Sequence, residues 1–452
     1  MPFVPYILAT DVLLWLLFAA VAFYAWYCRR RPHLAAPWQR VFQSKAALIT
    51  SVILVCYAAT GLADSLHFRL KLSGGKAYSP EVLSVLDLAL SGLRERREKT
   101  YSAPLATRLY AKEQVEAPDG KVSREFPRLR HGGAHLQDEA GVWGDIARKA
   151  GLGLGLAVLP IGLIYLAVRA LRRRWPDVPW RSAAITLAVI LAVALPVAVL
   201  ARGYHVLGTD KVGQDVLYQA LKSIRVSLVI GTLTTLVLLP LGIALGVMAG
   251  YFRGWIDDAI QYLYTTLNSI PGVLLIAACV LMMQVFIDRH PEWFDTAAQR
   301  ADFRLLVLCG VLGLTSWTGL ARLLRGEALK LSQLEYIQAA HAFGVSDARI
   351  LGRHILPNVA HIVIITLVMD FSGLVLAEAV LSYVGVGVDP ATTSFGTMIN
   401  AARLEMGREP IVWWSLAAAF AFMFVLVLAA NLLADAVRDG FDPRVRMGTV
   451  PV

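Results

Sequence analysis

Nine apolar runs, each long enough to cross a lipid bilayer, constrain this 452-residue chain more than any other feature. They fall at about 7–27, 46–66, 151–170, 183–201, 226–249, 270–287, 304–324, 361–384 and 411–434. A helix needs roughly 20 mostly apolar residues to span the hydrocarbon core. With 57% hydrophobic and 17% charged residues, the chain has too little polar surface for a soluble domain. The expected fold class is an all-α polytopic membrane protein with about nine transmembrane helices. Pro160, Pro196 and Pro240 lie inside the runs, where membrane helices tolerate proline better than soluble ones do. The first run leads into Arg29-Arg30-Arg31-Pro32 and not into a small-residue cleavage site, so it reads as a retained span.

Charge sets the orientation expected of the spans. The net charge is +10, and arginines cluster beside the apolar runs. They point to the bilayer as partner and not to nucleic acid. Segment 28–45 holds Arg29, Arg30, Arg31, Arg40 and Lys45, and segment 171–182 holds Arg172, Arg173, Arg174 and Arg181. Placing both in the cytoplasm puts the N-terminus outside and the C-terminal tail inside. Segments 250–269 and 325–360 then fall inside, and 67–149, 202–225, 288–303 and 385–410 fall outside. The 67–149 segment mixes arginines with many acids, and loops longer than about 60 residues translocate largely regardless of charge. Within it, 84–99 predicts one helix, apolar at Val85, Leu86, Leu88, Ala89 and Leu93. Turn signals at Pro118-Asp119-Gly120 and His131-Gly132-Gly133 make the rest loop-rich. We expect a small extracytoplasmic domain. Cys28, Cys56, Cys279 and Cys309 show no metal-ligand spacing, so neither a disulfide framework nor a zinc site is indicated.

Between the seventh and eighth runs lies a compact charged segment, 327–358. It contains Glu335-Tyr336-Ile337-Gln338-Ala339-Ala340-His341-Ala342-Phe343-Gly344 and closes with Arg353-His354-Ile355-Leu356-Pro357-Asn358. The pattern predicts a short helix over 334–343, then a turn that Gly344 permits more readily than a residue with a side chain. Ser346 or Asp347 is placed to cap a second helix. That helix carries Arg349 and Arg353 and is expected to stop at Leu356-Pro357, because proline disfavours helix just before it.

The spacing of Ala339-Ala340, Gly344 and Pro357 resembles the "EAA" coupling loop of ATP-binding-cassette importer permeases. Four further stretches extend the resemblance from about 205 to 446. Leu207-Gly208-Thr209-Asp210-Lys211-Val212-Gly213-Gln214-Asp215-Val216-Leu217 is similar to the family's "LGTDxxGRDV" segment. Gly250-Tyr251-Phe252-Arg253-Gly254-Trp255-Ile256-Asp257 is similar to its "GYxGGxxD" turn. Leu381-Ser382-Tyr383-Val384-Gly385-Val386-Gly387, followed by Ser394-Phe395-Gly396, resembles its outer "LSFLGLG…SWG" loop. Asn431-Leu432-Leu433-Ala434-Asp435-Ala436-Val437-Arg438-Asp439-Gly440-Phe441-Asp442-Pro443-Arg444 resembles its terminal "NLLGDxLRDxLDPR". Together they are similar to the "C" subunit of dipeptide and oligopeptide importers.

The resemblance implies a permease core at 205–452, preceded by two additional helices (1–66), the outer domain (67–149) and two more helices (150–204). It implies a multi-pass protein of the bacterial cytoplasmic (inner) membrane that binds no cofactor itself. The implied partners are a second homologous permease, two ATPase subunits carrying ATP and Mg, and an extracytoplasmic substrate-binding protein. The ATPase contact is expected from Glu335, Gln338, Ala339, Ala340, Gly344, Asp347, Arg349, Arg353 and Pro357. The loop departs from the family at Gln338, where the name-giving Glu would stand, and at His341. Gln261, Tyr262 and Thr265 replace the family's "MRxxD", so a charged pair near that turn is expected to be missing. Asp370 and Glu378 project about 80° apart on one helix. They read either as polar lining of a pathway or as interhelical hydrogen-bonding groups.

Leu72-Ser73-Gly74-Gly75-Lys76 looks like an ATPase signature, but the chain has no G-x-x-x-x-G-K-[ST] phosphate loop. Any ATPase is therefore another chain, and this one reads as no enzyme. His354 and His361 lack a third ligand in sequence and read as interfacial histidines. Two rival readings stay open. One is a permease for nickel chelates or modified-peptide antibiotics, and the other is a membrane scaffold or sensor with a degenerate transport core.

Overall fold

The computed structural model describes residues 3–71, 78–116, 122–137 and 141–441. The 72–77 stretch, Pro118-Asp119-Gly120 and Asp442-Pro443-Arg444, all singled out in the sequence, lie outside the described residues. In chain order, β1 (Phe3–Pro5) precedes α1 (Ala9–Arg29), α2 (Pro32–Gln43) and α3 (Lys45–Asp64). There follow β2 (His67–Leu70), β3 (Leu83–Ser84), α4 (Val85–Ala89), α5 (Ser91–Glu95), β4 (Glu113–Glu116) and β5 (Val122–Glu125). The remainder is helical: α6 (Val142–Arg174), α7 (Trp180–Leu200), α8 (Val216–Phe252), α9 (Gly254–Ser269), α10 (Gly272–Arg289) and α11 (Ala297–Ser316). Then come α12 (Thr318–Leu331), α13 (Glu335–Ala342), α14 (Asp347–Ile350), α15 (Leu356–Val384), α16 (Phe395–Glu405) and α17 (Trp414–Phe441). Among the described residues, nine helical segments are long and apolar enough to cross a membrane. Each falls on one of the nine apolar runs, so the all-α polytopic class holds.

The chain forms two compact units. The first comprises 1–7, 42–227 and 390–429. Its α6 and α7 pack as a hairpin, with α3 against α7. A Cβ on Gly153 would lie 2.4 Å from the Pro196 Cα, so only glycine lets these helices approach so closely. Antiparallel β1-β2-β3 pairs Phe3 with Leu70 and Phe68 with Leu83. A second hairpin pairs β4 with β5. Sequence reasoning missed both sheets. The strands are only two to four residues long, and β1 finds β2 more than sixty residues away.

The single helix expected over 84–99 is corrected to two short ones, α4 and α5, broken at Leu90 (φ −104°, ψ 18°). Tertiary anchors outweigh helix propensity here. Ser84 caps α4 in a reciprocal box with Asp87. The Asp87 carboxylate is also held by the Tyr218 hydroxyl (2.6 Å) and Lys222 (2.5 Å). Further on, Glu98 turns inward and accepts backbone N–H bonds from Arg130 (2.8 Å), His131 (2.8 Å) and Gly132 (3.1 Å). A continuous helix cannot satisfy both attachments.

Glu98 shares its buried site with His205 and Asp215. His205 Nδ1 lies 2.7 Å from Asp215 Oδ2, and Nε2 lies 3.4 Å from Glu98 Oε1. Burial opposes the charge on His205, yet its hydrogen bond to Asp215 and the neighbouring Glu98 carboxylate outweigh it and push the pKa up to about 9. Burial likewise opposes ionisation of Glu98. The His205 contact and the three backbone donors outweigh that effect and hold the carboxyl at about 2. The surrounding segment is knitted to the 205–215 loop by Leu105 N–H to His205 O (2.9 Å) and Ser102 N–H to Thr209 Oγ1 (2.7 Å). Trp414 Nε1 donates to Thr209 O (2.9 Å), and Tyr110 packs edge-on against Trp414.

Among the described residues, the second unit comprises 8–41, 228–389 and 430–441. Gly242, Gly246 and Gly250 form a four-residue repeat on α8. A Cβ at Gly246 would meet the Ala321 carbonyl at 2.6 Å, and one at Gly250 the Arg325 carbonyl at 2.4 Å. The repeat lets α8 and α12 pack backbone to backbone, the usual use of small residues between membrane helices. Asp302 of α11 accepts from Thr10 N–H (3.2 Å) and from its hydroxyl, and so caps the first turn of α1. Segment 32–43, read as part of a basic loop, is the amphipathic helix α2. Its Pro37 and Val41 meet Gly440, and Trp38 packs edge-on against Phe441 at 5.2 Å.

Candidate functional site

The 327–358 segment is built on one apolar cluster. Leu324 and Ala328 of α12, Ile337 of α13, Ile350 of α14, and Ile355 and Val359 are all buried together. Ala340, Val345 and Leu351 pack against them. Burying an isoleucine side chain contributes about 1.5–3 kcal/mol relative to leaving it exposed, so Ile337 and Ile350 pin both short helices to the ends of α12 and α15. A push on this element therefore moves those two helices.

The bend between α13 and α14 is a Schellman turn. Val345 N–H donates to Ala340 O (3.1 Å) and Gly344 N–H to His341 O (3.0 Å). Gly344 has φ +74°, a left-handed value that costs a residue with a side chain about 1–2 kcal/mol. No atom beyond its own chain neighbours lies within 4 Å of where its Cβ would be, so backbone conformation and not crowding selects glycine.

Each expected contact residue can now be placed. Glu335, Gln338, Ala339, Gly344, Asp347, Arg349, Arg353 and Pro357 are exposed, whereas Ala340 is half-buried against the chain's own cluster. Gln338 Nε2 donates to Gln333 O (3.1 Å). Asp347 Oδ1 accepts from the Tyr251 hydroxyl (2.7 Å), tying α14 to the end of α8. Ser346 occupies the N-cap position of α14 but makes no side-chain capping bond.

The stop expected at Leu356-Pro357 is corrected. The helix passes from α14 through a π-helical turn, Leu351–Ile355, into α15. Proline fits in the first turn of a helix, where its missing N–H costs little. The wider π turn before it takes up the mismatch. The part of the 327–358 segment that follows the bend and the eighth span are thus one continuous rod, Asp347–Val384.

Sequence reasoning missed Phe343. It is 87% exposed at the apex of the bend, flanked by exposed Ala339, Ala342 and Gly344. A signal was present. Phe343 stands six residues after the inward-facing Ile337, about 240° around the helix, and so falls off the buried face.

A second missed feature is the pairing of Asp257 and Arg325. Arg325 Nε and Nη2 each reach an Asp257 oxygen at 2.6 Å. The turn therefore carries a charged pair after all, contributed by its own aspartate and by α12. Hydrogen bonding to the guanidinium holds the Asp257 carboxyl below its usual range. Beside it, Arg253 occupies a position where the "GYxGGxxD" pattern has glycine. Its φ of +56° and ψ of −165° are a conformation nearly exclusive to glycine. The Arg253 guanidinium bonds Ser332 Oγ (2.9 Å), just ahead of α13.

Asp370 and Glu378 are both on α15. Glu378 is fully buried and accepts from Ser382 Oγ (2.7 Å), and Asp370 is half-buried. Ser382 Oγ in turn accepts from Val388 N–H (3.4 Å). Glu378 thus braces the turn that follows Gly385.

Residues 242–447 match the family described as the binding-protein-dependent transport system inner membrane component. The glutathione transport system permease protein GsiD of Pectobacterium atrosepticum is 34% identical over 244 residues, 54% of this chain and 73% of that one. The chain belongs to this permease family. The oligopeptide transport system permease protein OppC of Mycobacterium tuberculosis is 31% identical over 242 residues, 54% of this chain and 77% of that one. The dipeptide transport system permease protein DppC of Bacillus subtilis is 28% identical over 245 residues, covering 54% and 69%. With nine apolar helices among its described residues, the permease is a multi-pass protein of the bacterial inner membrane. Its family is one of transport components and not of enzymes. The matched span includes the whole bent element and both helices it packs against.

Proposed function

We propose that this permease forms one half of the pore of an importer that moves peptides or glutathione-sized peptide solutes. Two separate ATPase subunits, carrying ATP and Mg, drive it from the cytoplasmic side. A second permease completes the pore, and an extracytoplasmic binding protein delivers the solute. In this reading the N-terminus is outside and the C-terminus inside, as the basic segments 28–45 and 171–182 favour. The observation that carries the reading is Phe343. A large apolar side chain stands in solvent at the tip of a bend that is otherwise rigidly packed. Such a knob suits a pocket on a partner, since buried aromatic anchors dominate protein interfaces.

The mechanism is mechanical. ATP binding draws the ATPases together, the ATPase docked on this permease carries the Phe343 bend with it, and the rod Asp347–Val384 shifts as one body. Ala339 and Gly344 keep the surface around Phe343 flat enough for close approach, with Glu335, Arg349 and Arg353 at its rim. Gly344→Trp is expected to reduce uptake of a labelled tripeptide by at least tenfold with the protein still present in the membrane. Uptake and ATPase co-purification that both match wild type would overturn the assignment.

A further inference from the structure

A basic cluster lies outside the 327–358 segment, at the corner between α1 and α2. From Val12 to Ala63 the sequence contains no Asp or Glu, yet it carries Arg29, Arg30, Arg31, Arg40 and Lys45. Arg29, Arg30, Arg31 and Arg40 are exposed, and none of the four forms an ion pair among the described residues. The Arg30 guanidinium lies 4.0 Å from the centre of the Trp26 ring, and that of Arg31 lies 5.3 Å from the Tyr27 ring. Trp26 and Tyr27 are themselves 48% and 39% exposed at the end of an apolar helix. Aromatic residues at the end of a span mark the level of the lipid headgroups.

We propose that this corner binds the phosphate of an anionic phospholipid through Arg29, Arg30 and Arg31. A guanidinium stacked on a ring keeps its N–H edge free, and that edge matches phosphate oxygens in a bidentate fashion. The corner also has no acid of its own in sequence to compete. It is held rigidly, because α2 seats Pro37, Trp38 and Val41 against Gly440 and Phe441 at the end of α17. Lipid bound here steadies the end of the last membrane helix. The proposal does not depend on which side of the membrane the corner faces, nor on the solute carried.

The test uses the full chain in nanodiscs of phosphatidylcholine and phosphatidylglycerol, with retained lipids counted by native mass spectrometry. Wild type is expected to retain phosphatidylglycerol in preference. Arg29→Gln, Arg30→Gln and Arg31→Gln together are expected to lower that preference by about fivefold for each arginine removed. Trp26→Leu leaves all three charges in place and is expected to lower it about two- to fivefold through the lost stacking alone. This second variant decides the matter if the triple variant does not fold. An equal loss from Arg172→Gln with Arg173→Gln, the exposed cations at the end of α6, would show generic surface charge and overturn the proposal. Displacement of the lipid by excess inorganic phosphate would show a free-phosphate site and overturn it as well.

Discussion

Phe343→Asp is expected to release the ATPase subunits from the purified complex and to abolish uptake, with the permease itself still folded. An interface anchor of this kind contributes about 2 kcal/mol or more, which is roughly a thirtyfold weakening at least. Burying an unpaired carboxylate in the partner's pocket adds to that loss. The fold has little at stake, because the side chain is 87% exposed. Exposed substitutions of this sort usually change stability by within about 0.5 kcal/mol. Co-purification and thermal unfolding in detergent, measured on the same preparation, separate the two effects. A fall in unfolding temperature that parallels the loss of ATPase would assign Phe343 to the fold instead.

Glu98→Ala is expected to be the most destabilising single change in the first unit. It removes the acceptor for three backbone N–H groups and leaves His205 facing one carboxylate instead of two. Breaking a buried, hydrogen-bonded charge pair costs about 3–5 kcal/mol. The same site gives stability a defined pH dependence. His205 has a folded pKa of about 9, raised from 6.5. Its contribution is complete below about 6.5 and disappears as pH rises through about 9. Glu98 has a folded pKa of about 2, lowered from 4.5. Its contribution is complete above about 4.5 and disappears as pH falls through about 2. Thermal unfolding in detergent between pH 6 and pH 10 should therefore show an alkaline decline in wild type. That decline should be smaller in Glu98→Ala and start at lower pH, because the imidazolium has lost one anion.

The nine spans were legible because each must be mostly apolar over roughly 20 residues, a signal that needs no partner. The bend at Gly344 was legible for a similar reason, since a glycine between two short periodic segments is a local statement. What escaped the sequence depends on pairs that only the fold brings together. Asp257 meets Arg325 across 68 positions, and β1 meets β2 across more than sixty. Glu98 gathers donors from 130–132 and a cation from 205. Its inward turn splits what read as one helix over 84–99. At Pro357 the local rule failed because a π turn absorbed the strain that the rule assumes must end the helix. Phe343 was readable in principle from its angle to Ile337, but its exposure stands out only once Ala340 and Val345 are seen to face inward.

If a separate ATPase meets the permease at the bend around Phe343, on the cytoplasmic side, the two chains can be joined covalently at that position. Phe343→Cys, in a chain whose four native cysteines are replaced by serine, tests this most directly. The expected result is a disulfide or short-linker crosslink from position 343 to the ATPase in native membranes, with no labelling of that cysteine by a membrane-impermeant maleimide added outside intact cells. Ready labelling from outside, with no crosslink to any ATPase, would contradict it.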